Sequence, residues 1–326
     1  MLYAIQRFGL IVSNPSLELI TLLLNLSKFQ IGFLDIQYMQ IIAILSDYDG
    51  TLSPINYSNS DNKTRLHTNH RNQIELYRVL WEISRKRAIA IVSTKDFNFL
   101  HDRTRFANIL SCMMSIETIV LKHIDSDTCY INRCVQRSKL NVDFKILRKN
   151  SQKLESIIQM VSLNFRNVSI NRKVTFKSNL LGGVTMDWPH LDNWNSIKKK
   201  IEQAVLRISN EINDSSKYPL FVQTYSSHPF VDVYSTMCSK EIAYDNICKI
   251  IDNSTVNRVK NKNILYLGDS ENDNPAFRKA DVSIGVRSDE RLNPKLDCQY
   301  LINFNQLPKF LKKLLKNDFD FSEKLL

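Results

Sequence analysis

Glycine is scarce in this sequence, with 7 in 326 residues, so each one is expected where the backbone has a particular need for it. Gly50, Gly268 and Gly285 follow or close apolar runs, where tight turns are called for. Six dispersed cysteines contain no C-x-x-C pair, which argues against a zinc site or a dithiol motif. In a chain of this length they read as reduced core thiols of a cytoplasmic protein. The histidines show no ligand pattern; His67 and His70 lie in a polar stretch and read as surface residues. The longest apolar run near the start, Leu19 to Leu26, is broken by Thr21 and Asn25. It falls well short of the ~20 residues that cross a bilayer. A signal peptide is disfavoured by the missing small-residue cleavage pattern. No repeat or low-complexity tract is present. No finger, basic zipper or RNP-like motif appears, so nothing specifies a nucleic-acid partner.

What is present is an ordinary globular composition, 43% hydrophobic and 24% charged, long enough for more than one domain. Basic residues exceed acidic ones by 44 − 33, a net charge of +11, which suits an anionic partner without choosing one. Seven of the basic residues lie between Arg133 and Lys153, where Asp143 is the sole acid. This stretch reads as a solvated face or as a lure for an anionic substrate.

Residues 1–40 do not resemble the rest of the chain and stand either as a helical extension or as residues ahead of a start at Met39. From Ile41 the pattern is α/β. Ile41 to Leu45 is a continuous apolar run, as in a strand buried on both faces of a parallel sheet. A polar loop over 56–72 leads into a helix with Leu76, Val79, Leu80 and Ile83 on one face, and Ala88 to Val92 forms a second buried strand. Strand, helix, strand implies a right-handed parallel crossover. Residues 121–230 differ in texture. Hairpin-like segments accompany two amphipathic helices, one carrying Leu154, Ile157, Ile158, Val161 and Phe165. The other runs from Trp194 through Ile197, Ile201, Ala204, Ile208 and Ile212, with Asp192 or Asn193 as its cap. Gly182 and Gly183 mark a turn or bulge between strands. This block reads as an inserted α+β domain. The first pattern resumes with Val231 to Tyr234 as a strand, a helix from Lys240, and strands at Ile264 to Leu267, Val282 to Ile284 and Tyr300 to Ile302. A last helix spans Leu307 to Leu315.

Two acidic pairs carry the chemistry. Asp47-Tyr48-Asp49-Gly50-Thr51 lies just after the first strand, and Gly268-Asp269-Ser270-Glu271-Asn272-Asp273 just after the strand ending at Leu267. Ligands of open parallel sheets bind beyond the carboxyl ends of the strands. If Asp47, Asp49, Asp269 and Asp273 converge there, a hard divalent cation is the natural compensation, and all-oxygen ligation points to Mg²⁺. Lys240 opens a helix and could meet a phosphate as a point charge. Ser93 ends the second strand, where a hydroxyl and helix-start amides suit phosphate oxygens.

In order and spacing these four segments resemble the motifs of the haloacid dehalogenase superfamily. The resemblance covers about 41–120 and 231–315. The insertion is similar in position and length to the C2-type cap of subfamily IIB, which includes trehalose-, sucrose- and mannosylglycerate-phosphate phosphatases. The implied fold is a Rossmann-like parallel-sheet core, residues 41–120 and 231–326, with a C2-type cap at 121–230. The implied activity is Mg²⁺-dependent hydrolysis of a sugar phosphate through an aspartyl-phosphate on Asp47, with Asp49 as acid and base. Tyr48, Gly50, Ser93, Thr94, Lys240 and Asn272 would bind phosphate, with Asn272 orienting Lys240 or a phosphate oxygen. Mg²⁺ would be held by the Asp47 side chain, the Asp49 carbonyl and Asp269, with Asp273 binding through water or directly. The resemblance departs at Thr94-Lys95, where many relatives have Gly-Arg, and at Glu241, where a glycine is common. Asn274-Pro275 is similar to the mannosylglycerate branch and Gly183-Val184-Thr185 to the trehalose branch. Trehalose 6-phosphate is the leading substrate, with mannosyl-3-phosphoglycerate phosphatase, phosphomutase and a non-catalytic anion or nucleic-acid binder as alternatives. The partner is expected to be a small molecule, neither nucleic acid nor membrane, and the chain a monomer or homodimer.

Overall fold

The computed structural model describes residues 39–54, 63–124, 132–165, 167–188, 194–213, 218–225, 229–254, 263–287 and 294–326. The N-terminal segment, Cys129 and the proposed helix cap at Asp192 or Asn193 lie outside them, as do the side chains of His67 and His70.

The apolar run beginning at Ile41 forms β1 (Met39–Ser46), the centre of the larger sheet. Its parallel neighbours are β2 (Ala88–Val92) on one side and β10 (Asn263–Gly268) on the other. β3 (Ile109–Cys112) extends the sheet beyond β2. On the far side come β11 (Val282–Arg287) and β12 (Tyr300–Asn303), also parallel. Gly285 lies within β11 rather than at its end. Side chains of β1 and β2 alternate between two apolar layers. Ile44, Ile89 and Ile91 pack with α1 (Lys63–Ser84) and α7 (Leu307–Lys316). Leu45, Ala90 and Val92 pack with α5 (Lys240–Ser254) and α6 (Asn274–Phe277). Helices on both faces are what continuous apolar strands require. The predicted helical face is present: Leu76, Val79, Leu80 and Ile83 are all buried. The helix starts at Lys63, earlier than the polar stretch suggested.

The smaller sheet has the order β6 (Ser169–Val174), β7 (Leu181–Asp187), β9 (Phe230–Tyr234), β8 (Phe221–Thr224), all antiparallel. α3 (Phe144–Asn164) and α4 (Trp194–Asn213) share its core, with Leu154, Ile157, Val161, Ile201, Val205 and Ile208 buried against Val184 and Val231. The pairing skips a residue between Leu181 and Gly183, so the predicted bulge falls at Gly182.

Sheet pairing moves both of the expected boundaries. β4 (Glu117–Ile124) and β5 (Asn132–Leu140) add antiparallel to β3, so the large sheet continues through Leu140 instead of ending near 120. β9 belongs to the inserted sheet, not to the parallel one. A short apolar run fits either sheet equally well, because periodicity reports burial and not the neighbour. The basic stretch therefore spans β5 and α3, and Arg133 turns inward to donate to the carbonyls of Thr104 and Ala107.

Candidate active site

β1 and β10 are adjacent and parallel, so the loops leaving their carboxyl ends emerge side by side. Asp47 N donates to Leu267 O at 2.9 Å, carrying the pairing one residue past the strand. The chain then curls. Leu52 N and Ser53 N both donate to Tyr48 O, at 3.0 and 2.9 Å, and Gly50 N donates to Ser53 O at 2.7 Å. Gly50 has φ +84°, and a Cβ there would lie 2.0 Å from Asp269 Oδ2. Glycine is thus required twice over, for the left-handed backbone and for the approach of Asp269. Thr51 Oγ1 donates to the other oxygen, Asp269 Oδ1, at 2.9 Å.

The second loop folds around Asp273, which is wholly buried. Its Oδ1 accepts from Lys240 Nζ and from Tyr266 OH, each at 2.7 Å. Its Oδ2 accepts from Asp269 N, Ser270 N and Ser270 Oγ at 3.3, 3.1 and 3.0 Å. A side chain at Gly268 would collide with this carboxyl, its Cβ lying 2.4 Å from Asp273 Cγ. Lys240, 1% exposed, also lies 3.2 Å from Asp47 Oδ2. Burial alone would lower its pKa, but Asp273 and Asp47 outweigh that and raise it. The ammonium stays charged.

One oxygen from each of Asp47, Asp269 and Asp273 can be chosen so that all three lie within 4.8 Å of one another. At that spacing each like-charged pair repels by about 3 kcal/mol at an effective dielectric near 20. Three carboxylates facing one ammonium leave two negative charges, the charge of one divalent cation. Desolvation first, then Asp273 and Asp49, push Asp47 up to about 7 against the opposing pull of Lys240. Asp269 is raised well above the ordinary range by burial and by Asp47 and Asp273. The cluster is unstable as three free anions, and a hard cation would relieve it. Asp47 and Asp269 have the oxygens to spare. Asp273 completes the cluster, but its oxygens already accept five donors, so its evident part is to hold Lys240 and the loop.

The other expected site residues lie around this cluster. The carboxylate of Asp49 lies outside the acidic group and faces Lys95, with Oδ2 3.7 Å from Nζ, both about a third exposed. Tyr48 buries its side chain, its hydroxyl paired with Tyr77 at 3.1 Å and its ring edge-on to Phe99, so only its main chain can face a ligand. Asn272 directs its amide to Met114 Sδ at 3.7 Å and, among the described residues, makes no hydrogen bond with Lys240. Ser93 sits at the end of β2 as expected, buried, its hydroxyl accepting from Lys95 N at 3.2 Å. Thr94 is half-buried beside it.

Three features went unread in the sequence. Tyr266 reaches Asp273 from within β10, and the available signal was a polar-tipped residue inside an apolar strand. Asp232 on β9 anchors a buried network in the cap: Lys173 Nζ donates to it at 2.7 Å and Tyr225 and Tyr234 hydroxyls at 2.7 and 3.0 Å, with Thr185 also bound. An acid between two valines was its mark. Finally, the tip of the β6–β7 hairpin is clamped to the core. Asp96 Oδ2 accepts from Val174 N at 3.2 Å and the buried Glu117 from Phe176 N at 2.8 Å. The rings of Phe97 and Phe176 pack tilted at 54°, with centroids 4.4 Å apart.

A largely parallel sheet with two acidic loops at its carboxyl edge and an inserted α+β unit clamped beside them is a fold with counterparts among solved structures. Among solved structures, this chain is similar to the C-terminal domain of trehalose-6-phosphate phosphatase from C. albicans. The TM-score is 0.53 at 17% identity, over 84% of this chain and 93% of that one. A trehalose-6-phosphate phosphatase related protein matches at TM-score 0.49 and 16% identity, over 84% and 97%. A phosphatase of the haloalkanoate (HAD) enzyme superfamily from Bacteroides thetaiotaomicron matches at 0.47 and 12%, over 86% and 96%. At 17% identity the likeness to the C. albicans domain is one of fold. No protein-family model matches the sequence, and no curated protein matches it.

Proposed function

We propose that this chain is a Mg²⁺-dependent phosphatase that hydrolyses a sugar phosphate, with trehalose 6-phosphate the first substrate to test. One observation carries the reading: a buried lysine, Lys240, bridges Asp47 at 3.2 Å and Asp273 at 2.7 Å beside Asp269, at the carboxyl edge of a parallel sheet. The arrangement offers a nucleophile, fixed positive charge and a cation-binding acidic cluster at one point. The fold shared with the C. albicans phosphatase domain supports the choice of sugar phosphate. The net charge of +11 suits an anionic small molecule.

In this mechanism an Asp47 oxygen attacks phosphorus in line, and the bond from phosphorus to the sugar oxygen breaks as the aspartyl-phosphate forms. Asp49 gives its proton to the departing alkoxide. It then takes a proton from the water that attacks phosphorus, releasing phosphate and restoring Asp47. Lys240 neutralises the phosphoryl oxygens, and the Ser93 hydroxyl stands at the next strand end to share them. Asp47, Asp269 and the main-chain carbonyl of Asp49 would hold Mg²⁺, which supplies further neutralisation of phosphoryl charge when bound. Closure of the cap over the bound sugar would exclude bulk water. The five described cysteines are free thiols, which supports a cytoplasmic setting. No helix among the described residues is long and apolar enough to cross a membrane.

The test is phosphate release from trehalose 6-phosphate, mannosyl-3-phosphoglycerate and sucrose 6-phosphate, with and without Mg²⁺, by the parent chain and by Asp47→Asn. The parent is expected to release phosphate only with Mg²⁺ and the variant none above background. Appreciable hydrolysis by the variant removes Asp47 as nucleophile, and interconversion of isomers without free phosphate marks a mutase.

A further inference from the structure

Tyr266 stands in the middle of strand β10, between Leu265 and Leu267, and none of its surface is exposed. A buried phenol needs a partner for its hydroxyl. Here the partner is Asp273 Oδ1 at 2.7 Å, the same oxygen that receives Lys240 Nζ at 2.7 Å. Lys240 in turn reaches Asp47 at 3.2 Å. The four residues form one connected chain from the sheet interior to the nucleophile. The ring itself is fixed, edge-on to Phe277 at 5.5 Å and tilted against Tyr244 at 6.4 Å. The hydroxyl is therefore held at a set point by packing on α5 and α6, while Lys240 ends a long, flexible stem.

We propose that Tyr266 is a positioning residue of the phosphoryl site: through Asp273 it sets where the Lys240 ammonium stands. The proposal rests on the phosphatase reading. Two donors share Asp273 Oδ1, and each limits how strongly the other is drawn. Without the phenol the oxygen is left to Lys240 alone, which moves toward Asp273 and away from Asp47 and from the phosphoryl oxygens it must neutralise. The Tyr266 hydroxyl bonds Asp273 and makes no described hydrogen bond to Asp47 or Asp269, the two carboxylates with oxygens to spare for a cation.

Tyr266→Phe removes one oxygen atom and keeps the packed ring. With p-nitrophenyl phosphate as probe, kcat is expected to fall about tenfold, the scale of one hydrogen bond to a charged group. Inhibition by inorganic phosphate should weaken by a similar factor. The Mg²⁺ concentration for half-maximal activity should stay within twofold. A residue that only fills space would lower Tm and leave kcat and phosphate inhibition unchanged. If Tyr266 acts through Asp273, its substitution adds nothing in an Asp273→Asn background. A kcat and phosphate inhibition within twofold of the parent overturns the proposal, as does a full further loss in the Asp273→Asn background. Should Asp273→Asn not fold, the kinetic contrast of the single variant decides. If the parent hydrolyses no phosphate ester, the phosphatase reading fails separately. Inorganic phosphate binding by calorimetry then decides for Tyr266: weaker binding by Tyr266→Phe upholds it, and equal binding overturns it.

Discussion

Replacing Gly50 by alanine adds one methyl group at the most crowded point of the site. Its Cβ would stand 2.0 Å from Asp269 Oδ2 and 2.5 Å from Cγ, where ordinary contact begins at 3.4 Å. The carboxylate must withdraw by about 3.4 − 2.0 = 1.4 Å, or the loop must shift by as much. At φ +84° the alanine also costs about 1–2 kcal/mol of backbone strain. A displacement near 1 Å at a reacting centre is worth roughly a hundredfold in rate. Gly50→Ala should therefore lower Mg²⁺-dependent phosphate release about a hundredfold and raise the half-saturating Mg²⁺ concentration at least tenfold. The melting temperature should fall by only a few degrees. The assay is phosphate release against a Mg²⁺ titration, with thermal unfolding as the control for folding. If both activity and half-saturation stay within threefold of the parent, Asp269 does not serve the cation from this position.

Metal dependence of stability should vary with pH. Asp47 is raised to about 7, chiefly by burial, so between its ordinary value near 4 and about 7 the folded chain holds a proton that the unfolded chain has lost. This group's contribution to stability thus falls as pH rises through that window and remains lost above it. Mg²⁺ takes the ionised form, so the rise in Tm on adding Mg²⁺ should be several degrees larger near pH 8 than near pH 5. Equal shifts at both pH values contradict the acidic-cluster account. Where the β6–β7 hairpin meets the large sheet, Glu117→Ala removes the acceptor for Phe176 N, a bond of 2.8 Å. It should cost about 1–3 kcal/mol and speed hydrogen exchange at Val174 to Phe176 several-fold. Unchanged exchange there means that Glu117 does not hold the hairpin.

Much of the parallel-sheet half could be read directly. Strands β1, β2 and β10 are apolar runs ending in acids or hydroxyls, and burial on both faces leaves little else such runs can be. Gly50 and Gly268, two of only seven glycines, stand where side chains would strike Asp269 and Asp273. Pairing partners were harder. β9 reads as apolar whichever sheet receives it, and the order of β3, β4 and β5 depends on contacts between segments, not on spacing within one. The destination of a polar side chain was harder still. Asp273 and Asn272 differ by one position. Yet Asp273 collects five hydrogen bonds while Asn272 points at Met114. Local sequence gives both residues the same turn and does not say which one faces inward.

β9 closes the small sheet at Tyr234, and α5 opens with Lys240, so the return crossing is Ser235 to Ser239 and nothing more. Both ends of that link are tied. Ser235 N donates to Gly182 O at 2.8 Å and its carbonyl accepts from Asn150, while Ser239 Oγ accepts from Ile242 N at 3.1 Å at the head of the helix. A tether this short and this firmly fastened fixes the start of α5, and with it Lys240, to the last residue of β9 in the inserted sheet.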